Sequence, residues 1–184
     1  MNSILNKKLN FEELSISGVY KIIKNRFSDD RGDFYRLFCE QEFKDLNIPN
    51  KLNQINLSTS AKKGTIRGLH YQTSPFSEQK IITCIKGKIW DVAVDVRKES
   101  PTYLKWVSLE LSEDNYTSIL IPEGFAHGFQ TLEDKTEILY FSTKPYMKEF
   151  EKGINPLDNK LNIKWPIKIS NISSKDKNQK FLIE

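Results

Sequence analysis

Histidine and cysteine are scarce in this sequence, two of each in 184 residues, and several kinds of chemistry fall away with them. His70 and His127 lie far apart, with no H-x-H pair, which leaves too few ligands of the usual kind for a transition-metal centre. No metal and no other cofactor is expected. Cys39 and Cys84 have neither the number nor the spacing of a disulfide framework or a zinc site. Both are expected as buried thiols, Cys84 within the apolar run IITCI. There is no run of roughly 18 apolar residues to span a bilayer, and the opening stretch MNSILNKKLNFEELSISG has no apolar core of signal-peptide length. No membrane association is expected, and the cytoplasm is the default location. A G-x-S-x-G elbow is missing, which argues against a Ser-His-Asp hydrolase. Missing too are the G-x-G-x-x-G and Walker phrases of dinucleotide and nucleoside triphosphate sites.

What is present is ordinary for a folded chain: 38% hydrophobic and 28% charged residues, enough for one core and one domain over residues 1–184. The net charge of +4 is spread along the chain rather than gathered into a basic arm. It suits a small phosphate-bearing ligand at least as well as nucleic acid, which is not expected as a partner.

Alternation of apolar and polar residues predicts strands. From Lys80 to Val96 two strands flank Gly87, with Trp90, Val92, Val94 and Val96 alternating with Asp91, Ala93 and Asp95. Val107, Leu109 and Leu111 alternate in the same way with Trp106, Ser108 and Glu110, and TSILIP and TEILYFS are short β-rich runs. Many short strands at this spacing indicate a sandwich or barrel. One helix is expected, Glu40 to Leu46, stopped by Asn47 and Pro49. From Pro145 onward the chain reads as a loop-rich tail that wraps the barrel, with short helical turns.

Both histidines sit in phrases rich in glycine and aromatics, TIRGLHYQ and IPEGFAHGF. Taken alone, each reads more readily as a satisfied structural residue than as a catalyst. Around His70, however, Arg67, Gln72 and, beyond a turn at Ser74-Pro75, Lys80 put a base, two cations and an amide within a short span.

The phrases DDRGDFYRLF, QINLSTSAKKGTIRGLHYQ, QKIITCIKGKIWDVAVDVRKESPTY, IPEGFAHGFQTLED, YFSTKPY and WPIKISNISSKD, in this order from about Gly18 to Asp176, closely resemble the dTDP-4-dehydrorhamnose 3,5-epimerase family. The resemblance implies an all-β cupin or jelly-roll barrel with a few short helices. It also implies a homodimer, acting without a metal on nucleotide-linked 4-keto-6-deoxy sugars. In this family's pattern His70 matches the base that takes a proton from carbon beside the ketone, and Asp176 the carboxylate paired with it. Lys80 matches a lysine near the C4 oxyanion, and Tyr140 the proton donor. Arg31, Gln54, Asn56, Arg67, His127 and Glu151 match nucleotide-sugar-binding positions, and Tyr146 an aromatic that stacks on the base. Without the resemblance, Asp176 reads as a solvated residue of a Lys-rich tail, Lys80 as a strand-edge lysine and Tyr140 as core.

Two features set this chain apart from the family pattern. Arg36 stands where the family commonly has a carboxylate, and a cation cannot accept a hydrogen bond from a pyrimidine N–H. The phrase after Gly153-Ile154 also lacks an aromatic often found there. Alternation along TIRGLHYQ puts Ile66, Gly68, His70 and Gln72 on one face and Arg67 on the other. Bringing Arg67 and His70 into one cavity therefore requires a bulge near Gly68. Other readings of the same residues are inversion at C3 or C5 alone, a keto-isomerase, or a sugar-nucleotide-binding cupin without catalysis.

Overall fold

The computed structural model describes residues 7–44 and 51–182. Strands dominate: β1 (Leu9–Glu13), β2 (Tyr20–Lys24), β3 (Arg26–Asp29), β4 (Gly32–Tyr35), β5 (Gln54–Ser60), β6 (Thr65–Gln72), β7 (Lys80–Lys86), β8 (Lys88–Asp95), β9 (Trp106–Ser112), β10 (Thr117–Ile121), β11 (Phe125–Thr131) and β12 (Thr136–Ser142). The tail adds a 3-10 turn (Lys148–Phe150), β13 (Glu151–Gly153), β14 (Asn171–Ile172) and the short helix α2 (Ser174–Lys177). Helix α1 covers Glu40–Lys44. The rest of the expected helix, with its stop at Asn47 and Pro49, lies outside the described residues.

One sheet has the order β1-β2-β10-β7-β12-β5, and the other β13-β6-β11-β8-β9 with β14 beside β6; β3 and β4 form a hairpin of their own. The two large sheets pack face to face as a jelly-roll sandwich of the cupin type. Between them lies a core that includes Ile82, Ile89, Val107, Leu111, Ile119, Phe129 and Ile138. Outside the first sheet, Phe43 of α1 covers Leu9, Ile22, Ile81, Leu120 and Phe141. Outside the second, the tail residues Ile154, Leu161 and Ile163 cover Leu69, Val92, Val94 and Ala126. The central strands are thus buried on both faces, which is why β10 and β11 show no exposed residue. Each fully buried Ile or Phe here contributes about 1.5–3 kcal/mol.

The tail is pinned by tryptophans. Trp90 packs edge-on against both Trp106 and Trp165, at 5.8 and 5.6 Å between ring centroids. The indole N–H groups of Trp106 and Trp165 donate to the carbonyls of Leu161 and Pro156, each at 2.9 Å. The tail therefore wraps the barrel as the composition suggests, and in addition it supplies two short strands that alternation did not reveal. The two strands on either side of Gly87 form as expected, β7 in the first sheet and β8 in the second, with Gly87 at φ +72° where the chain crosses between them. Cys84 is buried, and its thiol is pushed up to about 12 chiefly by burial. Cys39 departs from expectation, because it is only half-buried beside α1. Among the described residues no helix is long and apolar enough to cross a membrane.

Candidate active site

Strand β5 is the outer strand of the first sheet. Across from it on β12, Ser142 faces Gln54, Tyr140 faces Asn56 and Ile138 faces Ser58. On the other side of β12, Lys80 of β7 faces Ser142 and Ile82 faces Tyr140. Because side chains alternate along a strand, Gln54, Asn56, Ser58, Tyr140, Ser142 and Lys80 share one side. They line one wall of a cavity of about 530 Å³. Ile55 and Leu57, the odd members of β5, point away and are 58% and 56% exposed.

The facing wall comes from β6 of the second sheet. Its ladder with β11 pairs His70 with His127 and Arg67 with Phe129, three residue steps on β6 against two on β11. The extra residue is the bulge that Gly68 was expected to supply. Gly68 has φ +108°, and a Cβ there would lie 2.5 Å from the His127 carbonyl oxygen and 2.6 Å from the Gly128 Cα. With the strand so kinked, Arg67 and His70 both line the cavity.

His70 Nε2 lies 2.7 Å from Asp176 Oδ1. Asp176 reaches it because β14 pairs in parallel with the start of β6, which sets α2 beside that strand. Ser173 caps the helix by accepting the Asp176 N–H at 3.0 Å. Asp176 is 3% exposed, not solvated as its Lys-rich surroundings suggest. Burial alone would raise its carboxyl, but the hydrogen bond and charge of His70, with the Gly68 N–H, outweigh burial and hold it below the usual value.

Tyr140 packs its ring edge-on against His127 at 5.9 Å. Burial, reinforced by the charge of Asp91, pushes its phenol well above the ordinary value despite Arg67 and Ser58. At the cavity mouth Glu151 accepts from Lys175 Nζ at 2.7 Å and from the Tyr146 hydroxyl at 2.9 Å. Gln54 Oε1 accepts the Tyr146 N–H at 3.1 Å, so the amide nitrogen of Gln54 is the group it has left to offer a ligand. The loop bearing Tyr146 is held by Gln72, whose Oε1 accepts from Met147 N at 2.6 Å and whose Nε2 donates to Pro145 O at 3.1 Å.

Nine of the eleven expected site residues thus line one cavity: Gln54, Asn56, Arg67, His70, Lys80, Tyr140, Tyr146, Glu151 and Asp176. His127 and Arg31 stand elsewhere. His127 is buried and held by Asp91 at 2.7 Å. Arg31 sits on the β3–β4 hairpin, paired with Asp29, its side chain 90% exposed. Arg36 also lies outside the cavity and is bonded to the buried Glu42 at 2.5 Å. Glu42 accepts the N–H groups of Lys8 and Leu9 as well.

The cavity also holds Ser58, Ser142, Glu78, Asn171, Ser173 and Lys175, which the sequence reading did not single out. For Ser58 the signal was available, because it continues the Gln54-x-Asn56 alternation. Glu78 stands two residues before Lys80, and Lys175 immediately before Asp176.

Comparison with known proteins bears directly on this arrangement. The family model described as dTDP-4-dehydrorhamnose 3,5-epimerase matches residues 13–184. A dTDP-4-dehydrorhamnose 3,5-epimerase of Sinorhizobium fredii (strain NBRC 101917 / NGR234) is 45% identical over 175 residues, covering 95% of this chain and 90% of that protein. Among solved structures, the enzyme of that name from Sulfolobus tokodaii superposes with a TM-score of 0.88 at 44% identity, covering 95% of this chain and 96% of the other. The Bacillus anthracis enzyme, solved with TDP and PPi bound, has a TM-score of 0.91 at 36% identity and covers 95% and 99%. With the match running through both cavity walls and the tail that carries Asp176, the chain belongs to the dTDP-4-dehydrorhamnose 3,5-epimerase family and is an isomerase, a sugar-nucleotide epimerase on a cupin-type barrel.

Proposed function

We propose that this chain inverts C3 and C5 of a dTDP-linked 4-keto-6-deoxy hexose, with His70 as base, Tyr140 as proton donor and Lys80 at the C4 oxygen. The observation that carries this reading is the entry of His70 and Tyr140 from facing sheets into one cavity that also holds Lys80. A ketone acidifies hydrogens on its neighbouring carbons because the resulting carbanion delocalises into an enolate. Inversion then needs a base on one face of the sugar and an acid on the other.

An ionised Asp176 can only accept, so Nε2 of His70 carries the proton toward it and Nδ1 is the basic atom. Asp176 fixes this tautomer and stabilises the imidazolium that forms. The raised Tyr140 phenol holds its proton until a strongly basic enolate carbon takes it. Lys80 Nζ stabilises the negative charge that gathers on the C4 oxygen, an interaction strengthened in a water-poor cavity.

Arg67 suits the pyrophosphate. It donates to Ser60 Oγ and the Thr59 carbonyl, both neutral, so among the described residues its charge is not spent on a carboxylate. Tyr146, half exposed at the mouth, suits stacking on the base, with Gln54, Asn56 and Glu151 as polar contacts. His127 supports the site from behind through Tyr140.

The same reading takes residues 1–184 as one domain, working in the cytoplasm as a homodimer. Ile55 and Leu57, outward on the edge strand, and Phe27 and Phe34, exposed on the β3–β4 hairpin, are apolar side chains of the kind a second copy would cover. Arg31, remote from its own cavity, would then serve the nucleotide of the partner.

The test is incubation with dTDP-4-keto-6-deoxyglucose in heavy water, reading deuterium at C3 and C5 by NMR. Label at both carbons, lost by roughly 10³-fold in His70→Asn, is the expected result. Label at one carbon reduces the reading to single-centre inversion, and no label sinks it.

A further inference from the structure

We infer that Glu78 is a positioning residue for Lys80, holding its ammonium in the cavity wall where the proposed function puts the C4 oxygen. Glu78 Oε1 lies 2.9 Å from Lys80 Nζ, with the two side chains only 7% and 15% exposed. Both line the cavity. An exposed ion pair would be unremarkable. A pair sunk in a cavity wall is different, because desolvating both charges cancels most of what their attraction contributes to stability. Stability therefore accounts poorly for a carboxylate at this place.

Geometry accounts for it better. Glu78 stands in the loop two residues before Lys80, the first residue of β7, and their contact puts both charged groups on the same cavity wall. Lysine ends a flexible four-carbon stem in three rotatable donors. One carboxylate contact removes most of that freedom and leaves two N–H bonds to aim into the cavity.

The loop that delivers Glu78 is itself clamped at both ends. On one side the Phe76 carbonyl accepts from Gln72 Nε2 at 3.1 Å and the Phe76 ring packs on Phe150 at 4.8 Å. On the other, Gln79 N–H donates to Thr143 Oγ1 at 3.0 Å and the Gln79 carbonyl accepts from Thr143 N–H at 3.2 Å. Glu78 is thus presented by a rigid loop, as a group that aims another must be. The second cavity lysine, Lys175, has its own carboxylate in Glu151 at 2.7 Å.

This inference rests on the reading of Lys80 given above, and a double-mutant cycle separates the two. Glu78→Ala is expected to lower kcat for epimerisation about 10- to 100-fold while KM stays within about 3-fold, the pattern of an interaction used in the transition state. Glu78→Gln is expected within about 3-fold of the parent, since its amide oxygen still accepts from Lys80. On a Lys80→Ala background, Glu78→Ala is expected to add nothing, because a residue acting only through Lys80 has no separate contribution. Glu78→Asp, which keeps the charge but withdraws it by one methylene, is expected to show the same loss confined to kcat and serves if the alanine variant does not fold. Wild-type kcat in Glu78→Ala, equal damage from Gln and Ala, or a full further loss on the Lys80→Ala background would each overturn the proposal. An unmutated protein that exchanges no deuterium overturns the epimerase reading instead.

Discussion

Tyr140 meets His127 edge to face, ring centroids 5.9 Å apart, and His127 is in turn fixed by the fully buried Asp91 at 2.7 Å. The phenol therefore stands on a rigid base with its ring orientation set from behind. Its hydroxyl stays protonated throughout the range in which imidazole titrates, because burial and Asp91 push it upward.

Removing only that hydroxyl keeps the edge contact. Tyr140→Phe is expected to leave deuterium exchange from the His70 side within about 10-fold of the parent while inversion falls about 100-fold or more. Both are read from one NMR time course, and equal inversion by parent and variant would remove Tyr140 as donor.

Asp176→Asn exchanges an acceptor for an amide that can also donate, which permits the wrong His70 tautomer. A loss of roughly 10³-fold in kcat is expected, with little change in KM. The same carboxylate has a sign for stability. Its folded value lies below the ordinary 3.8, so its contribution is complete above that value and is lost as pH falls through the lower, folded one. Acid titration of unfolding should show a steeper loss below about pH 4 in the parent than in Asp176→Asn.

Gly68→Ala tests the bulge. A methyl group would press on the backbone of His127 and Gly128 at 2.5–2.6 Å, at a φ of +108° that other residues resist. We expect at least about 2–3 kcal/mol of destabilisation and loss of exchange, since the same kink aims His70. A variant with unchanged denaturant midpoint and full activity would show that the kink is not required.

The bulge also marks how far the sequence could be read. Alternation in Lys80–Val96 revealed β7 and β8 because each strand turns part of its apolar set to the central core and part to an outer cluster, Ile81 beneath α1 and Val92 and Val94 beneath the tail, and Gly87 marked the turn. The kink at Gly68 was legible because two side chains of opposite parity, Arg67 and His70, had to share a cavity. Strands β13 and β14 were not, since three and two residues carry too little pattern and are defined by their pairing with β6. Asp176 looked solvated because nothing local shows that its partner lies 106 residues away. Arg36 was read against a nucleotide, whereas the chain uses it on Glu42, a carboxylate already committed to the amides of Lys8 and Leu9.

Lys24 carries the remaining prediction. Its ammonium is buried, donating to the Thr117 carbonyl at 3.1 Å and Ser118 Oγ at 2.8 Å, and burial lowers it from 10.5 to about 8. The unfolded chain therefore binds more protons than the folded one between those values. The cost of burying the charge is complete below about pH 8 and is relieved as pH rises toward 10.5. Denaturant unfolding should show stability rising by at most about 3 kcal/mol across that window. Lys24→Met should lack that component of the rise, and identical pH profiles for the two proteins would refute it.

The short parallel pairing of β14 with β6 has a consequence for synthesis and turnover. A ribosome that stalls after β13 has already made every strand of both sheets except this one, together with Lys80 and Tyr140, yet His70 waits without its carboxylate. Proteolytic clipping between Gly153 and Ser170 would likewise part His70 from Asp176 if the released end drifted away, and on the proposed mechanism such a chain is expected to lose deuterium exchange.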